Sequence, residues 1–319
     1  MDEHTRAHVL TYAQQGNVLA WDSVEASEFI WQRALHCMTS KEMKWLANAI
    51  GDTLPTGHNL CLWQKTQLGQ CRLCGHPKAT LLHILNNCPV ALQQGRYEWR
   101  HNTILHHMAR CILVSLRPAN AKSQACSIAP PLTSSFVSAG FLHAPAQPSS
   151  KAGQKQCPRS DNILAHTNDW KFVVDLPEMH HAHSPYIPPE LLASRQRPDM
   201  FMWSPKQKVA ILLELTCPME ECAVAARRRK EARYLPELVL KLRLSGWNTT
   251  LFTAEIGSRG FACASSRRAL HALGVAHVPQ ALRTCEDYAR RCSYMLWTSR
   301  NTREWRSINM HQAEDPTAV

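Results

Sequence analysis

Residues 197–216 have the sequence RPDMFMWSPKQKVAILLELT. Two apolar runs of strand length, Met200 to Trp203 and Val209 to Leu215, flank the segment SPKQ, which has the residue types of a tight turn. The second run is too apolar to face water, so we expect a buried β-hairpin. Asp199 and Glu214 are equally far from the centre of the turn, which predicts that they face each other.

Two carboxylates that face each other across a hairpin repel, and an unpaired charge inside a buried strand is costly. A bound cation would relieve both penalties. Converging carboxylates prefer a hard cation such as Mg²⁺, and the chemistry that this pair favours is phosphodiester hydrolysis. The alternative is a structural ion pair between Glu214 and an arginine, with Arg197 and Arg227 as the candidates.

The sequence around the hairpin alternates between strand and helix patterns. Further strands are expected at Lys171 to Leu176 and Thr249 to Ala254, and helices at Met219 to Leu244 and Ala281 to Arg306. This alternation predicts a compact α/β domain over residues 161–319.

The first part of the chain is expected to be helical. Apolar positions recur with helical spacing in Val24 to Leu35 and in Met43 to Ile50, which predicts a helical region over residues 1–116. Residues 117–160 are rich in Pro, Ala, Ser, Gln and Lys and predict a flexible linker. The predicted fold class is therefore α+β or α/β, with a helical region and an α/β domain joined by the linker.

A metal site is predicted in the helical region. Cys71, Cys74, His83 and Cys88 have the spacing C-x2-C-x8-H-x4-C, and three thiolates with one imidazole form a closed tetrahedral Zn²⁺ site of the structural kind. His76 or Cys61 could replace one of these ligands. The alternative is a group of small buried residues without metal.

Composition limits the class of protein. Among 319 residues, 36 Lys and Arg against 25 Asp and Glu give a net charge of +11, which suits a polyanionic partner such as DNA or RNA. The 13 cysteines show no secreted-type framework, and no apolar run could span a bilayer. We expect a nuclear or cytoplasmic protein without a membrane partner. No adjacent Asp-Asp pair occurs, which excludes a reverse transcriptase active site.

The chain resembles the C-terminal region of non-LTR, LINE-type retrotransposon polyproteins, in which a Cys-Cys-His-Cys knuckle precedes a restriction-like, PD-(D/E)xK-type endonuclease. The similar segments are Arg197-Pro198-Asp199, Glu214 to Glu220, Lys230 with Tyr234, Leu54-Pro55-Thr56, Asn59-Leu60, Gln94 to Tyr97 and Trp99-Arg100-His101. The resemblance covers most of the chain apart from the linker.

The resemblance implies roles for individual residues. Asp199 and Glu214 would bind Mg²⁺, Lys230 would orient or activate the attacking water, and Tyr234 would lie one helical turn further on the same face. Thr216 stands where the wider nuclease superfamily has its lysine, so the lysine would come from the helix instead. The alternative for Lys230 is a solvated basic face or a nuclear import signal formed with the preceding arginines.

Several further residues are candidates for the site. Arg100 and His101 could contact nucleic acid, with an exposed pair on a helix surface as the alternative, and Asp175 could be another acidic ligand. The predicted nucleic-acid-binding residues are Arg100, His101, Arg259, Arg300 and Arg303.

The expected function is Mg²⁺-dependent nicking of double-stranded DNA that primes reverse transcription. The expected partners are double-stranded DNA, element RNA and the reverse transcriptase domain of a larger parent polyprotein. A rival expectation is a catalytically inactive, zinc-containing fragment that only binds nucleic acid. The intact Asp199, Glu214 and Lys230 favour the enzyme.

Overall fold

The computed structural model describes residues 3–12, 21, 23–24, 36–125, 162–176 and 188–310. The predicted helix at Val24 to Leu35 lies outside the described residues, apart from Val24. The same holds for positions 126–160 of the predicted linker. Within the described part of the chain, no helix combines the length and the apolar character needed to cross a membrane.

The protein contains both helices and a mixed sheet. The helices are α1 (Glu3–Leu10), α2 (Ser40–Ile50), α3 (Gly57–Leu62), α4 (Pro89–Gln93), α5 (Arg96–Ala125), α6 (Pro189–Leu192), α7 (Ala223–Tyr234), α8 (Leu240–Leu244), α9 (Ala264–Ala272) and α10 (Val278–Thr298). Short 3₁₀ segments occur at Ile163–His166 and Glu220–Cys222, and π-helical turns at His83–Asn87 and Leu235–Val239.

The strands form one four-stranded sheet in the order β1 (Lys171–Val174), β2 (Met200–Ser204), β3 (Val209–Thr216) and β4 (Asn248–Glu255). The pairs β1–β2 and β2–β3 are antiparallel, whereas β3 and β4 are parallel. All four strands were expected, and so was the hairpin of β2 and β3. Its turn ends at Lys208, whose φ of 53° lies in the left-handed region.

Helices cover both faces of the sheet. On one face, Met200, Met202, Ile211 and Leu213 pack with buried residues of α5, α9 and α10. On the other face, the helical run from Glu220 to Leu244 covers Phe201, Trp203 and Leu212. Because both faces of β2 and β3 are buried, both strands are apolar at most positions, and Glu214 is a buried charged residue within β3.

Helix α5 links the predicted parts of the chain. Its residues Ile104, Leu105, Met108 and Ile112 are completely or almost completely buried in the core that contains the sheet. The helix continues to Ala125, so the predicted start of the linker at residue 117 lies inside it. Residues 117–125 are thus helical, whereas the division of the chain into domains stays a prediction.

Helix α2 begins with a capping box. The N–H of Glu42 donates to the hydroxyl of Thr39 at 3.3 Å, and the N–H of Thr39 donates to the Glu42 carboxylate at 2.9 Å. Its buried residues Trp45 and Leu46 belong to a core shared with Leu85 and with Trp297 of α10. The region that carries the predicted zinc ligands is thus packed directly on the last helix.

Candidate active site and metal-binding cluster

The hairpin register places Asp199 opposite Glu214. Met200 pairs with Leu213, so the next residues outward on the two strands face each other. The N–H of Asp199 donates to Oε1 of Glu214 at 3.1 Å, and the N–H of Leu215 donates to Oδ2 of Asp199 at 2.7 Å. The predicted juxtaposition of Asp199 and Glu214 is confirmed.

Lys230 of α7 is the cationic partner of Glu214. Its Nζ donates to Oε2 of Glu214 at 2.5 Å, and the side chain of Glu214 is fully buried. Burial and the charge of Asp199 raise the pKa of Glu214, and Lys230 opposes this rise. The alternative of a structural pair with Arg197 or Arg227 is wrong, because the helix brings Lys230 to the carboxylate.

His101 of α5 lies against the same pair of strands. Its Nε2 is 3.3 Å from Oδ2 of Asp199 and 3.3 Å from the carbonyl oxygen of Leu215, and its Nδ1 is 3.0 Å from Oδ1 of Asn102. Burial lowers the pKa of His101, but the hydrogen bond and charge of Asp199 outweigh burial, so this pKa lies above its usual value.

His101 was predicted to contact nucleic acid, and its place beside Asp199 was not foreseen. A sequence signal for it exists. His101 precedes the core residues Ile104, Leu105 and Met108 at helical spacing, which puts it on the inward face of α5. The alternative for Arg100 and His101, an exposed pair on the helix surface, is therefore wrong for both residues.

Tyr234 lies one turn after Lys230, as predicted. It is buried, and its hydroxyl donates to the carbonyl oxygen of Arg197 at 2.8 Å. Burial and the neighbouring Glu214 carboxylate raise its pKa far above the usual value. Tyr234 therefore fixes the backbone that leads into Asp199 and has the contacts of a positioning residue.

One carbonyl group at the end of β3 connects three parts of the chain to the site. The oxygen of Cys217 accepts from Nδ2 of Asn86 at 2.7 Å and from the guanidinium of Arg100 at 3.1 Å, and the Ser258 hydroxyl lies 3.0 Å from it. Arg100 is buried and also donates to Ser293. It is a structural residue and has no exposed surface for a phosphate group.

An open cleft of about 630 Å³ is lined by Thr216 and Cys217 at the end of β3 and by Lys230, the partner of Glu214. Asn86 and Asn87 form one wall, and α7 forms the other wall with Lys230 and the exposed Arg229 and Arg233. The cleft thus carries positive charge along the wall that leads to Glu214.

The four predicted zinc ligands form one cluster. The ligand atoms of Cys71, Cys74, His83 and Cys88 all lie within 4.8 Å of one another, and Sγ of Cys74 is 3.3 Å from Nε2 of His83. This donor set of three sulfurs and one nitrogen fits a structural zinc ion. The predicted cluster is confirmed, and its residues could hold a metal such as zinc.

Local backbone geometry brings the ligands together. After Cys74 the chain turns at Gly75, whose φ of 78° favours glycine, and the N–H of Cys71 donates to the carbonyl of His76 at 2.7 Å. The Tyr97 hydroxyl accepts from the N–H of Cys88 at 3.0 Å and donates to the carbonyl of Ile84 at 2.9 Å.

The alternative zinc ligands lie outside the cluster. The ring of His76 stacks on that of His83 with centroids 4.6 Å apart, and its Nδ1 lies 3.1 Å from the carbonyl oxygen of Lys78. Cys61 is exposed and is not a member of the cluster.

The structure also shows the surroundings of the other three predicted DNA-binding residues. Arg259 is buried, donates to the Glu220 carboxylate at 2.8 Å and binds the carbonyl of Ala49, so it is structural. Arg300 and Arg303 follow the end of α10 at Thr298, which corrects the predicted helix end at Arg306. Arg300 stacks on Trp297, 3.8 Å from the ring centroid, and Arg303 is exposed.

Asp175 does not join the carboxylate pair through its side chain. The side chain of Asp175 is exposed. Its backbone N–H donates to the carbonyl of Asp199 at 2.9 Å. The residues that the fold brings together are thus Asp199, Glu214, Lys230, Tyr234 and His101. Comparison of the chain with models of known protein families and with curated proteins gives no match.

Proposed function

We propose that this chain is a metal-dependent DNA endonuclease that nicks double-stranded DNA. The observation that carries the proposal is that Asp199 and Glu214 face each other at the end of the hairpin away from its turn, with Lys230 bound to the buried Glu214. Two facing acidic side chains with a lysine beside them could bind a divalent cation and stabilise the charge that develops in phosphodiester hydrolysis.

The donor set supports a hard divalent cation such as Mg²⁺. Asp199, Glu214 and the carbonyl of Leu215 are oxygen donors, and they are the residues that would hold the ion. The bound ion supplies Lewis acidity, which lowers the pKa of attacking water and offsets the charge that builds on the phosphoryl group. Asp199 is partly exposed, with 15% of its side chain accessible, so a cation can reach it from solvent.

Lys230 and Tyr234 would act without binding the ion. Lys230 has 25% of its side chain exposed, so its ammonium group can reach solvent while it contacts Glu214. In this position it would orient water and stabilise the negative charge of the reacting phosphate. Tyr234 would hold the Arg197 backbone and thereby the position of Asp199.

The charge of the cleft supports a nucleic-acid substrate. Arg229 and Arg233 are exposed on the wall that also presents Lys230, and the net charge of the chain is +11. Arginines along a groove neutralise phosphates without reading the base sequence. We therefore propose DNA phosphates as their ligands.

We further propose a restriction-endonuclease-like fold and an origin in the C-terminal region of a non-LTR retrotransposon polyprotein. The support is the resemblance of the segments around Asp199, Glu214 and Lys230, together with a Cys-Cys-His-Cys cluster that would hold structural Zn²⁺. On this proposal the nick primes reverse transcription, and the partners are target DNA, element RNA and the reverse transcriptase domain.

A nicking assay on supercoiled plasmid tests the function. Asp199→Asn and Glu214→Gln should each lower Mg²⁺-dependent nicking by about a hundredfold or more, because metal-ion catalysis supplies several kcal/mol. Glu304→Gln, which alters an exposed carboxylate, is the control. Binding of DNA should change little in all three variants. Nicking that stays at the background level of a protein-free control in the wild type and in both site variants would favour the rival, an inactive nucleic-acid-binding fragment.

A further inference from the structure

The imidazole of His101 lies beside the Asp199 carboxylate and the end of β3. Its Nε2 lies 3.3 Å from Oδ2 of Asp199 and 3.3 Å from the carbonyl oxygen of Leu215. We propose that His101 is a ligand of the catalytic cation, which makes the site a mixed nitrogen–oxygen site that prefers Mn²⁺ to Mg²⁺. This inference rests on the proposed endonuclease function.

The second ring nitrogen of His101 supports a metal-binding role. Nδ1 lies 3.0 Å from Oδ1 of Asn102, an acceptor, so Nδ1 carries a proton that it donates to Asn102. A cation would bind Nε2 in place of the proton that Nε2 shares with Asp199. Histidine ligands of metals commonly donate their other N–H to an oxygen in this way, which fixes both the tautomer and the ring plane.

The position of His101 is fixed by packing on both sides. The following residues Ile104 and Leu105 are fully buried in the core, so the inward face of α5 cannot rotate. The preceding Arg100 donates to the carbonyl of Cys217, two residues after Leu215. These contacts hold the imidazole against the end of β3, as a ligand on a rigid scaffold must be held.

The donor set determines which cation fits best. Two carboxylates and a carbonyl suit Mg²⁺ and Mn²⁺ alike. Mg²⁺ is found with oxygen donors, whereas an imidazole adds affinity for a first-row transition ion. His101 would therefore raise the affinity for Mn²⁺ much more than the affinity for Mg²⁺.

Binding of Mn²⁺ to the full chain, with one equivalent of Zn²⁺ already bound, tests this role apart from activity. In wild-type protein, electron paramagnetic resonance should detect one bound Mn²⁺ with nitrogen coupling from an imidazole. In His101→Ala the nitrogen coupling should disappear and the Mn²⁺ affinity should fall by about tenfold or more, whereas the Mg²⁺ affinity should fall much less. His271→Ala, a change at an exposed helix histidine, should leave both affinities unchanged.

A second variant keeps the test valid if His101→Ala fails to fold. His101→Gln offers an amide oxygen in place of nitrogen, so it should retain cation binding but lose the nitrogen coupling and the preference for Mn²⁺. An unchanged preference and coupling in His101→Gln would overturn the inference.

Asp199→Asn separates this inference from the proposed function. If it loses Mn²⁺ binding and nitrogen coupling while His101→Gln keeps both, the cation site stands and His101 is not a ligand. If Asp199→Asn binds Mn²⁺ as wild type does, no cation binds at this carboxylate pair and both proposals fail.

Discussion

The ammonium nitrogen of Lys230 lies 2.5 Å from Oε2 of Glu214, and of these two side chains only that of Lys230 reaches solvent. From the sequence, the facing carboxylates of Asp199 and Glu214 are expected to need a cation. In the structure, Lys230 already compensates Glu214, and the ring of His101 lies beside Asp199. The carboxylate pair therefore has Lys230 on the side of Glu214 and His101 on the side of Asp199.

We expect Lys230→Ala to destabilise the protein when no divalent cation other than the structural zinc is added. The variant leaves Glu214 buried without its cationic partner. The cost should be about 2 kcal/mol, between the values for exposed and fully buried pairs, because Lys230 is partly exposed. Urea unfolding monitored by circular dichroism measures it.

Added Mg²⁺ should recover more stability in Lys230→Ala than in the wild type, because the ion replaces the missing positive charge beside Glu214. Lys241→Ala, which removes only an exposed helix ion pair with Glu237, is the matched control and should lose less than about 1 kcal/mol. An unchanged unfolding midpoint for Lys230→Ala would show that the pair contributes no stability.

The Cys-His cluster predicts one tightly bound zinc ion per chain. Cys74→Ser should lose the zinc and about 5 kcal/mol of stability, since part of the large binding free energy of a structural zinc is folding free energy. Metal analysis and urea unfolding measure both effects. Cys61→Ser and His76→Ala alter the residues outside the cluster and should keep the zinc. Zinc-free wild-type protein with an unchanged midpoint would contradict the prediction.

The buried carboxyl group of Glu255 should make the free energy of unfolding depend on pH. Burial raises the pKa of Glu255, and the hydrogen bond from the Ser265 hydroxyl offsets only part of the rise. The folded state therefore binds this proton more tightly than the unfolded state. The free energy of unfolding is highest while Glu255 is protonated, and it falls as pH rises through the pKa that Glu255 has in the folded state.

The neutral variant Glu255→Gln should lack this loss. Its free energy of unfolding, relative to wild type, should increase with pH between the ordinary carboxyl pKa and the raised pKa of Glu255. Urea titrations across this range measure the difference. Glu304→Gln, at an exposed site, should follow the wild-type curve in shape. A pH-independent difference for Glu255→Gln would be inconsistent with a raised pKa.

The parts of the site that the sequence predicts are the local ones. Asp199 and Glu214 belong to one hairpin, so the turn fixes their register. The four zinc ligands lie within 18 consecutive positions, and their spacing determines the knuckle. Lys230 was expected only from the resemblance, and the helix that carries it, α7, follows β3 closely in the chain and brings its ammonium group to Glu214.

The parts that the sequence does not predict depend on packing between distant segments. His101 and Asp199 are 98 positions apart, and only the packing of α5 on the sheet brings them together. Arg100 and Arg259 have the residue type of a phosphate ligand, but backbone carbonyls of Cys217 and Ala49 bind them in the interior. Residue type gives the chemistry, whereas burial decides whether a ligand can reach it.

The DNA-binding surface is predicted to be the cleft wall of α7. Arg229→Gln combined with Arg233→Gln should weaken DNA binding about equally for all sequences. It should also reduce the slope of log affinity against log salt by about 2, because each phosphate contact contributes roughly 0.9 to that slope. Fluorescence anisotropy with a labelled duplex from about 50 to 200 mM salt measures both quantities.

The matched control removes the same charge from the other end of the hairpin. Lys206→Gln with Lys208→Gln alters exposed lysines of the turn, which lies at the end of β2 and β3 opposite to Asp199 and Glu214. This double variant changes the net charge equally, so it should lower affinity only through the weak long-range field. If both double variants reduce the salt slope by the same amount, general positive charge accounts for binding, and the cleft wall is not the phosphate-binding surface. If only the Arg229 and Arg233 variant does so, DNA phosphates lie along the wall that leads to Glu214, where the proposed hydrolysis takes place.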